Sequence, residues 1–137
     1  MEKFLSPKNR TKFVGWLLQI ANDNDWTIIL SYPEKDNYKF FLKNSIVIDI
    51  PDEASEHYSN IVEIKNPAIN EEFLDQLIAS CSVLSVHKEN EMIFLIADEF
   101  HYESFSCSQA FFQKYFPILK ELNLIDISRE NVDFKFK

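Results

Sequence analysis

Apolar positions along the chain fall into two rhythms, and their order predicts the architecture. Phe13, Trp16, Leu17 and Ile20 recur at i, i+3, i+4 and i+7, the spacing of one buried helical stripe. Ser6-Pro7 reads as the start of that helix, a hydroxyl cap followed by proline in the first turn. The polar run Asn22-Asp23-Asn24-Asp25 ends it. Trp26 to Tyr32 is rich in β-formers and predicts a strand. Pro33 to Asn37 reads as a turn, Tyr38 to Lys43 as a second strand, and Ile46 to Ile50 as a third. Pro51 to Asn60 is a polar, acidic loop, and Ile61 to Lys65 a short fourth strand.

Asn66-Pro67 breaks the chain, and Asn70 is placed to cap a second helix with Glu71 and Glu72 in its first turn. Phe73, Leu74, Leu77 and Ile78 supply its apolar face. Cys81 to Lys88 and Glu91 to Asp98 then form a hairpin around Glu89-Asn90. A two-residue loop sets Val86 opposite Ile93 and Leu84 opposite Leu95, with Val83/Ile96 and Ser85/Phe94 on the other face. Both faces are largely apolar, which places this hairpin centrally in the sheet or beneath a partner.

Ser106 and Gln109 have capping-box spacing ahead of a third helix carrying Phe111, Phe112, Tyr115, Phe116, Leu119 and Leu122. Pro117 is expected to kink or split that helix. Val132, Phe134 and Phe136 alternate with polar residues, which predicts a last edge strand. The order αββββαββα(β) places the chain in the α+β class. It predicts three helices on an antiparallel-rich sheet of five to seven strands, in one domain spanning 1–137.

Composition narrows the chemistry. The single glycine, Gly15, excludes Gly-rich phosphate loops, dinucleotide fingerprints and nucleophile elbows, each of which needs several. Inside a helix, Gly15 points to close packing rather than function. Two cysteines, Cys81 and Cys107, make neither a disulfide framework nor a metal cluster. His57, His87 and His101 are not spaced like metal ligands. No cofactor or metal is expected. The polar start, Met1 to Arg10, is unlike a signal peptide, and no apolar run has the length of a membrane span, so a cytoplasmic protein with reduced thiols is expected.

Charge is the informative feature. The net charge is −8, but its distribution is uneven. Residues 1–45 carry seven basic against five acidic side chains, and residues 104–137 five against four. Residues 46–103 carry only Lys65 and Lys88 against thirteen acids. Such a segment disfavours nucleic acid and anionic membrane as partners and suits a basic protein surface. The expected contacts are Asp52, Glu53, Glu56, Glu71, Glu72, Asp75, Glu99 and Glu103.

Three resemblances accompany this reading. Pro51-Asp52 followed by Glu63-Ile64-Lys65 resembles the PD-(D/E)xK nuclease signature. It implies Asp52 and Glu63 as Mg²⁺ ligands, with Lys65 as catalytic base or charge stabiliser. The helix at Phe13–Ile20, the helix at Phe73–Ile78, the hairpin Val83–Ile96 and the helix Phe111–Leu122 loosely resemble the acidic, dimeric chaperones of type III secretion. That resemblance implies apolar grooves holding a client segment. The same shape and charge look like bacterial immunity proteins, which cover the basic active site of a toxin with carboxylates. The leading expectation is therefore a non-enzymatic acidic binding protein, most concretely an immunity protein, as a monomer or a dimer. The chaperone and the nuclease stand behind it.

Overall fold

The computed structural model describes residues 3–32, 35–49, 60–80, 83–96 and 105–126. These residues form an α+β fold with one seven-stranded, wholly antiparallel sheet and four helices. The elements are β1 (Lys3–Leu5), α1 (Arg10–Asp23), β2 (Thr27–Tyr32), α2 (Lys35–Lys43), β3 (Ile46–Asp49) and β4 (Asn60–Lys65), then α3 (Glu71–Ser80), β5 (Val83–Lys88), β6 (Glu91–Ile96), β7 (Phe105–Cys107) and α4 (Gln109–Glu121). The strand order across the sheet is β1-β7-β6-β5-β2-β4-β3. The hairpin β5–β6 lies in the interior of the sheet, where its pattern places it.

Register puts the core on one face. Ile64, Ile28, Val86, Phe94 and Cys107 lie directly opposite one another from strand to strand, and so do Val62, Leu30, Leu84 and Ile96. All of these are buried. Over them pack Phe13, Leu17 and Leu18 of α1, Phe41 of α2, Phe73 and Leu77 of α3, and Phe111 and Leu119 of α4, in one continuous core. Aromatic contacts tie the layers together, with Phe13 5.7 Å from Phe94 and Phe94 5.4 Å from Phe111, ring centre to ring centre. The second face carries the mixed row Glu63, Ile29, Ser85, Leu95, Ser106 and Phe4.

Several expectations are corrected. Residues 38–43, expected as a strand, belong to α2. The contiguous run Phe40-Phe41-Leu42 suits a helix as well as a strand, and tertiary packing decides: Phe41 is fully buried, 5.3 Å from the Phe73 ring. Asn44 then donates to the Phe40 carbonyl at 2.8 Å and the Ser45 hydroxyl donates to the Phe41 carbonyl, closing the helix end. Next, α1 starts three residues beyond Ser6-Pro7, capped by the Asn9 side chain, which accepts from the Lys12 amide at 3.0 Å. Ser6 and Pro7 instead pair with the chain after α4, through an Asp126 amide to Ser6 carbonyl bond and a bridge between Pro7 and Ile125.

The expected cap at Ser106 moves to Ser108, whose hydroxyl accepts from the Phe111 amide at 3.2 Å. Ser106 is held inside β7, between β1 and β6. Pro117 does not split α4, which runs unbroken from Gln109 to Glu121. Pro117 and Gln113, whose carbonyl it cannot serve, both lie on the exposed side, where water can meet that carbonyl. Finally, the hairpin pairs as expected only next to its turn. Lys88 faces Glu91 and His87 faces Met92, but a bulge at Ile93 shifts the rest by one, so Val86 faces Phe94 and Leu84 faces Ile96. The bulged Ile93 carbonyl accepts from the Ser108 amide at 2.9 Å. The expected strand at Val132–Phe136 and residues 51–59 of the expected loop Pro51–Asn60 lie outside the described residues, while Asn60 begins β4, where it pairs with Tyr32.

Candidate functional site

α3 presents the acidic residues that the sequence singles out. Its start is fixed by Asn70, whose side chain accepts from the Phe73 amide at 2.9 Å. Burial of Phe73 and Leu77 then sets the rotation of the helix. At 3.6 residues per turn, that rotation leaves Glu71, Glu72, Asp75 and Gln76 together on the exposed side. With Asn70 they line an open depression of about 510 Å³. Glu71 and Glu72 sit where the helix dipole favours negative charge. Asp75, one turn further on, lies beyond that effect. None of the three carboxylates forms an ion pair with a described residue.

The remaining expected contacts, Asp52, Glu53, Glu56, Glu99 and Glu103, lie outside the described residues. So does Asp52 as a metal ligand. Glu63 and Lys65 share the second face of β4, with Ile64 between them turned into the core. Lys65 is engaged elsewhere: its ammonium lies 2.9 Å from the Asp25 carboxylate. Among the described residues, no group of three or more His, Cys, Asp or Glu side chains could hold a metal ion.

Sequence reasoning missed one polar pair. His87 Nε2 lies 2.8 Å from the Ser85 hydroxyl, two residues back on the same face of β5. The i, i+2 alternation of a strand was the signal that could have found it. Burial pushes the His87 pKa below its ordinary value, while the negative charge of Glu63 pulls the other way. The neutral ring that results satisfies the buried Ser85 hydroxyl. Burial pushes the Cys107 thiol up to about 12, so it stays protonated and is a poor nucleophile. Cys81, His57 and His101 lie outside the described residues.

No family model, curated protein or solved structure matches this chain. Among the described residues, no helix is long and apolar enough to cross a membrane.

Proposed function

We propose that this chain is a non-enzymatic binding protein whose acidic surface caps a basic surface on another protein, most concretely as an immunity protein that neutralises a toxin. The observation that carries this reading is the exposed set Glu71, Glu72 and Asp75, unpaired with any described cation and held in fixed phase on a helix whose other side is locked into the core. Rigid presentation matters because the backbone of an ordered helix loses little further freedom on binding, which confines the ordering cost to the side chains. Like charges gathered on one face also raise the local potential, which speeds encounter with a basic surface and orients it.

The experiment mixes the purified chain with a panel of basic toxin domains and measures binding and inhibition. One domain is expected to be bound and inhibited stoichiometrically. The combined variant Glu71→Gln, Glu72→Gln, Asp75→Asn is expected to weaken that complex by about tenfold or more. A complex of undiminished affinity with this variant contradicts the role given to α3.

A further inference from the structure

The free edge of the sheet says how such a partner could be held. β3 ends the strand order, and among the described residues nothing pairs with its outer side. Edges of this kind are ordinarily blunted by lysine or proline, by shortness or by a bulge, because their unpaired backbone groups template further strands. β3 is short and bulged, but Ile46-Val47-Ile48 contains no lysine or proline, and its side chains are 55%, 40% and 47% exposed.

A second, independent observation concerns charge. Ile46 faces Lys65 and Val47 faces Ile64, so regular pairing would set Ile48 opposite Glu63. A bulge intervenes and sets Asp49 there instead. Two carboxylates thus lie directly across from one another at the sheet edge, an arrangement that costs stability unless a cation joins it. Neither Asp49 nor Glu63 forms an ion pair with a described residue, and Lys65 is turned to Asp25.

We propose that β3 takes up a further strand from a partner protein: an extended segment alternating apolar and basic residues, with a lysine or arginine opposite Asp49. This rests on the acidic-binding reading and adds the mode of attachment. Backbone hydrogen bonds to the outer side of β3 supply affinity. Apolar residues of the segment cover Val47 on the helix-bearing face, and its cation completes a row with Asp49 and Glu63 on the other.

The probe is a fluorescent peptide of about nine alternating valine and lysine residues, longer than a typical strand. A matched peptide carries N-methyl groups on alternate amides, which removes strand pairing and keeps the charge. The first is expected to bind, and the N-methylated one at least about tenfold more weakly. Asp49→Lys is expected to weaken the first peptide about tenfold and to favour a version with glutamate in place of the central lysine.

Equal binding of the two peptides overturns strand addition and leaves the acidic-binding reading standing. Binding of neither also overturns it, and the α3 variant then tests the broader reading by itself. Full protection of the Ile46–Asp49 amides from hydrogen exchange in the free chain overturns it as well, by showing that the edge is already occupied.

Discussion

Lys65 gives its charge to Asp25, at 2.9 Å, and not to Glu63 two residues back on the same strand face. Asp25 stands in the turn after α1 with a left-handed backbone, φ 57°, and the ion pair joins that turn to the end of β4. The side chains are 26% and 70% exposed, so the pair contributes little to stability. Its effect is on the charge map. Lys65 is one of only two basic residues in 46–103, and it neutralises an acid from outside that segment. Among the described residues, no cation pairs with Glu63 or Asp49, nor, further along, with Glu71, Glu72 or Asp75.

The closeness of α1 to α3, which holds the acidic helix in place, is tested at Gly15. A Cβ there would meet Leu74 Cδ1 at 3.2 Å. Alanine gains about 1 kcal/mol of helix propensity, offset by the small shift Leu74 must make. Gly15→Ala is therefore expected within about 0.5 kcal/mol of wild type, and Gly15→Val to destabilise by about 1–3 kcal/mol. Urea unfolding midpoints measure both. A neutral Gly15→Val contradicts the close approach.

His87 makes stability depend on pH. Its folded pKa lies below the ordinary 6.5, because burial disfavours the charged ring. The unfolded chain therefore binds the proton more readily. The contribution is fully present above pH 6.5, is lost as pH falls below it, and levels off once the lowered folded value is passed. His87→Gln is expected to flatten this part of the urea midpoint profile. Glu63→Gln removes the opposing charge and is expected to lower the His87 pKa further in an NMR titration. A rise on Glu63→Gln contradicts the electrostatic assignment.

The hairpin turn carries a correctable strain. Glu89, its first central residue, has φ 55°, in the region where a side chain costs about 1–2 kcal/mol and glycine does not. Glu89→Gly is expected to stabilise by about 0.5–1 kcal/mol after glycine's greater unfolded-state entropy is counted. A raised midpoint in thermal unfolding checks it, and a lowered midpoint refutes it.

Elements whose signal is local were legible in the sequence. The Asn70 cap with Phe73, Leu74, Leu77 and Ile78 defines α3, and its phase alone places Glu71, Glu72 and Asp75 on one side. The hairpin turn at Glu89-Asn90 was legible for the same reason. What stayed hidden is set by distant partners. β1 and β7 are three residues each and exist only because they pair with each other and with β6. α2 depends on Phe41 meeting Phe73. The Asp49–Glu63 juxtaposition depends on a bulge, which no period-two pattern encodes.

The central claim is that this acidic surface steers a basic partner to itself. Its most direct test is the association rate of the toxin-domain complex, measured by stopped flow from about 20 to about 500 mM salt. The account predicts a rate that falls steeply, by about tenfold or more, while the dissociation rate changes little. An association rate that stays flat across that range contradicts it.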